Sequence, residues 1–289
     1  MDLIRWGTSY FNEQGVDSPR LTMELMLCHV LKVSRITLYT NFEQPLTKDE
    51  LASLRALVKR RAQHEPLQYI LGTSEFYGLS FEVGPAVLIP RPETELLAER
   101  VIKFLKHQHP TASCLDIGTG TGCIPVTVAV HVPGSTWIAV DRERDAAEVA
   151  ERNAGHHGVS DRVQVLVADI LTNPDAVFAR ALYDVVTMNP PYIPAVDVAT
   201  LQEEVRDYEP HAALTDDADG LSFYRWFADH ASVLLAEQGR GFLEIGHGQD
   251  AEILELMRMA GLQAVVHEDL SRIPRVMEVS HGILGDAIG

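Results

Sequence analysis

The chain of 289 residues is 46% apolar and 22% charged, with a formal net charge of -17, the balance of a globular protein with a buried core. The opening MDLIRWGTSYFNEQG carries acids and polar groups where a basic-then-apolar leader would stand, and no stretch approaches ~18 uninterrupted apolar residues, so neither a signal peptide nor a membrane span is expected. Three scattered cysteines, Cys28, Cys114 and Cys123, fit buried thiols in a reducing cytoplasm and argue against a disulfide framework or a zinc site.

The first 65 residues read as helices. Leu3, Trp6, Tyr10 and Phe11 share one helical face. Ser18-Pro19-Arg20 offers a Ser cap with Pro in the first turn, and Leu21, Leu25 and Cys28 continue that helix. Thr47 with Glu50 three residues on has the capping-box pattern ahead of a stripe at Leu51, Leu54 and Val58, and the helix runs out in KRRAQHE before Pro66. A small all-helical domain over 1–72 is expected. EFYGLSFEV then alternates Leu79, Phe81 and Val83 around a Gly-containing turn, which reads as a hairpin. VGPAVLIPRPETE, with Pro85, Pro90 and Pro92, is a stiff extended connection, and hairpin and connection together take up 73–92.

A helix from about Thr94 to Lys106 begins the last segment, 93–289. From Thr111 the strands SCLDIG, TWIAVD, VQVLVAD, YDVVTMN and RGFLEIG alternate with helical stretches near 122–131, 143–155, 219–236 and 249–260. Continuous apolar strands separated by helices mean a doubly wound, mostly parallel α/β sheet, Rossmann-like and covered on both faces. The closing strands AVVHED and RVMEVS, joined by a short link, are expected to pair antiparallel at an edge.

In such a sheet ligands bind beyond the carboxyl ends of the strands. The first strand runs into DIGTGTG, where Gly118, Gly120 and Gly122, with Thr119 and Thr121 between them, allow a tight turn and close backbone approach ahead of free helix N–H groups. The second ends at Asp141, twenty-three residues after Gly118, placed to accept from both ribose hydroxyls of a nucleoside; the third ends at Asp169, able to accept from an adenine amino group; the fourth ends at Asn189. A nucleoside-containing cofactor is the expected occupant. G-x-G-x-G differs from the G-x-G-x-x-G that cradles a pyrophosphate, and no basic residue lies near the loop in sequence. S-adenosylmethionine, with a sulfonium cation and no phosphate, suits these acids. On the loop and Asp141 alone, a dehydrogenase stays open as the alternative.

The fourth strand stops because Pro190 and Pro191 have no N–H for a ladder. The Asn189 side-chain carbonyl and the Pro190 main-chain carbonyl can only accept, so together they make a fixed acceptor pair for a planar –NH2, an amide or an exocyclic adenine amine. Tyr192 adds an aromatic wall or a hydroxyl, and the proline rings stiffen the corner. Gripping both hydrogens of a poor nucleophile aims its lone pair at a methyl donor, and no strong base is required.

DIGTGTG, AVD, NPPYI, EIGHGQ and PLQYILGTSEFYGLSFEVGPAVLIPRPETE together resemble the HemK/PrmC protein-(glutamine-N5) methyltransferases. The resemblance covers nearly the whole chain. NPPY alone is shared with N6-adenine methyltransferases, whereas LIPRPETE joined to a helical domain is far more specific. It implies a seven-stranded class I methyltransferase that modifies the glutamine of the Gly-Gly-Gln motif in peptide chain release factors. It also implies that Gly118 to Gly122 and Asp141 bind S-adenosylmethionine, that Ile170 beside Asp169 flanks the adenine, and that Asn189, Pro190, Pro191 and Tyr192 hold the glutamine amide. Arg91 to Glu95 resemble a segment lining the site from the other side. Pro125 and a long tail after Arg275 depart from the family pattern; the tail's end is expected to fray.

Other features are expected to be bland. Adjacent His156 and His157 do not face one ligand, no acid or cysteine sits at metal spacing, His247 reads as a loop residue, and the KRR run at 59–61 reads as solvated. Residues 1–75 hold nine Lys/Arg and nine Asp/Glu, so the net charge falls on the rest. That surface disfavours nucleic acid and favours a basic protein partner, here a release factor bound by a monomer. The competing readings are an N6-adenine nucleic-acid methyltransferase, a glutamine methyltransferase acting on a ribosomal protein, and a cofactor-binding protein without turnover.

Overall fold

The computed structural model describes residues 2–40, 45–108, 111–178 and 182–282. In chain order the elements are α1 (Asp2–Glu13), α2 (Pro19–Leu31), α3 (Arg35–Thr40), α4 (Lys48–Arg61), α5 (Leu67–Leu71), β1 (Thr73–Phe76), β2 (Leu79–Glu82), α6 (Thr94–Gln108), β3 (Ala112–Ile117), α7 (Cys123–His131), β4 (Ser135–Asp141), α8 (Arg144–His156), β5 (Val163–Val167), α9 (Asp175–Phe178), β6 (Tyr183–Met188), α10 (Glu203–Tyr208), α11 (Ser222–Leu234), β7 (Leu235–Glu244), α12 (Asp250–Met259), β8 (Leu262–Glu268) and β9 (Pro274–His281). They form two compact units, Met1–Thr73 with Gln202–Tyr208, and Ser74–Leu201 with Glu209–Gly289. Among the described residues no helix is long and apolar enough to cross a membrane.

The helical unit departs from its sequence pattern in detail. The inward face of α1 is Ile4, Gly7 and Phe11; Trp6, expected there, is 50% exposed and stacks on Tyr10. Gly7 explains the rotation: a Cβ there would come 2.4 Å from Met23 Sδ, so the absent side chain lets α2 pack directly on α1. In α2, Met23, Met26 and Leu27 are buried in place of the expected stripe, and Leu21 is exposed. Ser18 is left-handed (φ 47) and makes no side-chain cap, although Pro19 does open the helix. The Thr47–Glu50 capping box is present in both directions. The KRR run is not simply solvated, because Arg61 is buried and its Nη1 donates to Glu204 Oε2 at 2.7 Å. The Tyr208 hydroxyl donates to the Gln63 carbonyl, so both ends of the 202–208 segment are tied into this unit.

The second unit carries the β1–β2 hairpin and a seven-stranded sheet in the order β5-β4-β3-β6-β7-β9-β8. Strands β3 to β7 run parallel. The two closing strands pair antiparallel as expected, but β9 also pairs antiparallel with β7, so it inserts beside the core and leaves β8 alone at the edge. Side chains alternate across the sheet with period two. Cys114, Trp137, Ala139, Val185 and Phe242 face one core with α6 and α7, while Leu115, Ile138, Val140, Val186 and Leu243 face a second core with α11 and α12. Both sheet cysteine-region thiols, Cys114 and Cys123, are buried, and desolvation pushes them up, Cys123 to about 12, so neither is a thiolate at neutral pH. The expected fraying concerns 283–289, which lie outside the described residues.

Candidate active site

Strand order reverses between β3 and β6, because β4 lies on one side of β3 and β6 on the other. A crevice must open beyond the carboxyl ends at such a switch point. A cavity lies there, lined by Gly118, Thr119, Gly120, Thr121, Asp141, Asp169, Ile170, Asn189 and Pro191, with Arg91 and Thr94 from the RPETE segment. Of the other expected site residues, Gly122, Pro190 and Tyr192 do not line it.

The glycine loop is left-handed at each glycine, with φ 71 at Gly118, 53 at Gly120 and 75 at Gly122. Gly122 serves packing: it caps α7, and a Cβ there would stand 3.2 Å from the Ala150 Cβ of α8. Asp141 Oδ2 accepts from Gly120 N at 2.9 Å and Oδ1 from Glu143 N at 3.0 Å, which leaves each oxygen further acceptor capacity. Burial raises the Asp141 pKa, and the two backbone N–H groups oppose that rise. Asp169 Oδ1 accepts from Leu171 N at 3.0 Å, and Ile170 beside it is buried. Both lining cations are paired: Arg91 Nη2 donates to Glu209 Oε1 at 2.6 Å, and Arg142 Nε to Glu143 Oε1 at 3.1 Å. Carboxylates at two strand tips, an apolar wall at Ile170 and neutralised arginines fit a nucleoside that carries a sulfonium and no phosphate.

At the tip of β6, Asn189 Nδ2 donates to Thr94 Oγ1 at 3.2 Å, and Thr94 is 1% exposed. Among the described residues no hydrogen bond reaches Asn189 Oδ1 or the Pro190 carbonyl. Pro190 itself is buried beneath the corner. The Tyr192 hydroxyl lies 3.5 Å from Glu244 Oε1, and Gln249 Nε2 donates to the Tyr192 carbonyl at 2.9 Å while Gln249 Oε1 accepts from Gly246 N at 3.1 Å. A Cβ at Gly220 would lie 2.1 Å from the Tyr192 carbonyl oxygen, so the corner rests directly on that backbone. Burial also raises the Tyr192 phenol, which stays neutral.

Two buried acids near the site were given no role by the sequence reading. Glu244, at the tip of β7, is 2% exposed and burial pushes its carboxyl up to about 7. Asp116, in β3, is 1% exposed and likewise rises to about 7; its Oδ1 accepts from Thr187 Oγ1 at 2.6 Å. Their signal in the sequence is an acid inside an otherwise apolar strand, SCLDIG and RGFLEIG. Thr94 lies within the RPETE segment expected to line the site, and Glu244 and Gln249 within EIGHGQ. Within RPETE, Glu95 turns away to accept from Tyr77 N at 2.8 Å. His247 is exposed and does not line the cavity. Among the described residues no group of three or more His, Cys, Asp or Glu gathers as a metal site.

Comparison with known proteins fits this geometry. Residues 2–72 match the PrmC N-terminal domain family, and residues 93–206 match the Methyltransferase small domain family. The release factor glutamine methyltransferase of Chlorobaculum tepidum is 40% identical over 95% of this chain and 95% of its own length. That of Geobacter sulfurreducens is 41% identical over 95% and 94%. Among solved structures, the hMettl16 catalytic domain in complex with MAT2A 3'UTR hairpin 1 aligns with TM-score 0.56 and 17% identity, covering 81% of this chain and 83% of that one, a likeness of fold. The identity to the enzymes runs through both the helical part and the sheet, and on that ground the chain belongs to the HemK/PrmC family of release factor glutamine methyltransferases.

Proposed function

We propose that the protein transfers a methyl group from S-adenosylmethionine to the side-chain amide nitrogen (N5) of the glutamine in the Gly-Gly-Gln motif of peptide chain release factors. In this reading it works as a cytoplasmic monomer. Residues 1–72 dock the substrate, 73–92 connect, and 93–289 carry the chemistry.

One observation supports the reading above others: Thr94 occupies the NH2 end of the Asn189 amide, so its acceptor end remains for a substrate. Two acceptors in fixed positions suit the two hydrogens of a primary amide. The bound cofactor supplies an electrophilic methyl on a sulfonium. Asn189 Oδ1 and the Pro190 carbonyl grip the amide hydrogens and orient the nitrogen lone pair. Such alignment can supply several kcal/mol, up to roughly 7–11 in ideal intramolecular systems. Gly118 to Thr121, Asp141, Asp169 and Ile170 hold the nucleoside end, with Gly122 fixing the helix behind the loop. Pro191 walls the cavity, and Tyr192 braces the corner from below. Proton removal needs no strong base, because the methylated nitrogen is acidic and water can take the proton.

The test is incubation of the protein with labelled cofactor and a release factor, followed by mass-spectrometric location of the methyl group. Label on the Gly-Gly-Gln glutamine is expected. Label on DNA, or on a ribosomal-protein glutamine in place of the release factor, overturns the reading.

A further inference from the structure

The ladder between β6 and β7 stops at the pair Met188 and Leu243. Beyond it the two chains part. Pro190 and Pro191 have no N–H to offer, and Ile245 N turns to the Arg275 carbonyl of β9 at 2.9 Å. The side chain of Gln249 closes the gap. Its Nε2 donates to the Tyr192 carbonyl at 2.9 Å, and its Oε1 accepts from Gly246 N at 3.1 Å. A carbonyl can only accept and an N–H can only donate, so these two partners fix which way the amide points. Gln249 stands at the N-cap of α12, yet its side chain makes no bond to that helix. The slot it fills depends on two glycines: a Cβ at Gly246 would come 2.4 Å from Gln249 Oε1, and one at Gly220 would come 3.1 Å from Nε2.

We propose that Gln249 is a positioning residue that holds the acceptor corner at its working angle, standing in for the ladder rung that the two prolines remove. The inference rests on the reading of Asn189 and Pro190 as the amide acceptors given above. The peptide plane between Tyr192 and Ile193 is fastened at both poles. Gln249 holds its carbonyl, and its N–H donates to the Leu214 carbonyl at 3.0 Å. Between this plane and the Pro190 carbonyl stands Pro191, whose ring locks φ. Little torsional freedom separates the two, so fixing the Tyr192 carbonyl also restrains the direction of the Pro190 carbonyl. At the other end of the corner Asn189 is tied to Thr94. Without the Gln249 amide, the Tyr192 carbonyl and the Gly246 N–H each lose a partner, and the corner can turn on the Thr94 and Leu214 contacts. Neither bond of the Gln249 side chain reaches the glycine loop, Asp141 or Asp169, so the cofactor end of the cavity does not lean on it.

The experiment measures kcat, KM for a release factor and cofactor Kd in Gln249→Met and Gln249→Glu, in alkaline buffer. Methionine keeps the length of the side chain and makes neither bond. Glutamate keeps an acceptor for Gly246 N but sets a second acceptor against the Tyr192 carbonyl. In both, kcat should fall roughly 10- to 100-fold, the cost of a small misalignment, with KM and cofactor Kd within about threefold of the parent. An unmoved cofactor Kd also certifies that the variants are folded. In an Asn189→Ala background, Gln249→Met should slow kcat by less than about threefold more, because the grip it aligns is already broken. Normal kcat in either variant, a cofactor Kd that weakens in step with kcat, or a Gln249→Met loss that multiplies in full onto Asn189→Ala overturns the proposal. Asn189→Ala alone distinguishes the two levels. If it is slow while the Gln249 variants are normal, only the positioning role fails; if it turns over normally, the acceptor reading fails and the positioning role with it.

Discussion

Asp141 Oδ2 accepts from the Gly120 N–H at 2.9 Å, so the carboxylate at the tip of β4 is fastened to the glycine loop that leaves β3. One residue thereby shapes the loop and, in the function proposed above, also holds the cofactor at the cavity it lines. Asp141→Ala removes both contributions. Cofactor binding measured calorimetrically should weaken roughly 10- to 100-fold, the range for losing a charged hydrogen-bond acceptor. Since burial raises the Asp141 pKa, cofactor affinity in the unaltered protein should begin to fall at a higher pH than for an exposed aspartate as acid is added.

Asn189→Ala deletes one of the two proposed acceptors while leaving the glycine loop and both acidic strand tips in place. Methyl transfer should drop at least ~100-fold in kcat, and the cofactor Kd should stay within about twofold. A parallel fall in cofactor affinity would show that Asn189 serves the nucleoside instead of the amide.

Gly220 has φ 80, and a Cβ there would collide with the Tyr192 carbonyl at 2.1 Å, a backbone atom that cannot swing aside. Gly220→Ala should destabilise the fold by about 1–3 kcal/mol, seen as a lowered Tm, and should reduce kcat in whatever fraction stays folded. Tyr192→Phe, which spares the backbone contact, should leave Tm nearly unchanged.

The folded-state pKa of Asp116 lies above its unfolded value, because burial disfavours its charge. Its favourable contribution is therefore complete below about pH 4 and is lost as pH rises through about 7. Asp116→Asn keeps an acceptor for Thr187 and gains a donor for the buried Thr119 hydroxyl, which otherwise has no partner among the described residues. Thermal unfolding should show the variant more stable at pH 8, by on the order of 1–3 kcal/mol, and no more stable than the parent at pH 4.

How far the fold could be read in advance depended on what each element packs against. Strands buried on both faces announce themselves as continuous apolar runs, and the observed strands from β3 to β7 coincide with those runs. The amphipathic helices of the first unit were located correctly, and Phe11, Leu54 and Val58 face the core as expected, whereas Trp6 and Leu21 do not. Gly7 and Met23 make a contact that no periodicity records, because glycine has no apolar side chain to mark the buried face. The antiparallel pairing of β8 and β9 was legible from their short link, whereas which of the two lies against β7 was left open, because tertiary register sets it. At the site, tip residues such as Asp141 and Asn189 were legible because a strand's end is a place in space. Thr94, Glu244 and Gln249 were legible only as members of RPETE and EIGHGQ, since the contacts each makes depend on which strands and loops become neighbours.

The acidic balance of residues 76–289 predicts a salt effect. If the partner surface around the methylated glutamine is basic, release-factor affinity should weaken steadily as ionic strength rises. Equilibrium binding from low to high salt measures this, and an unchanged Kd would exclude charge steering as a source of affinity.

The stretch Gln202–Tyr208 belongs to the same compact unit as Met1–Thr73, although it follows most of the sheet in the sequence. The backbone therefore passes between the units three times: after Thr73, after Leu201 and after Tyr208. On the ribosome, the helical unit cannot complete itself when its own first 73 residues emerge; Arg61 waits for Glu204, and Gln63 for Tyr208, until β3 to β6 have been synthesised. A severed N-terminal fragment would lack its last helix, and a sheet fragment made without it would carry an orphaned insertion.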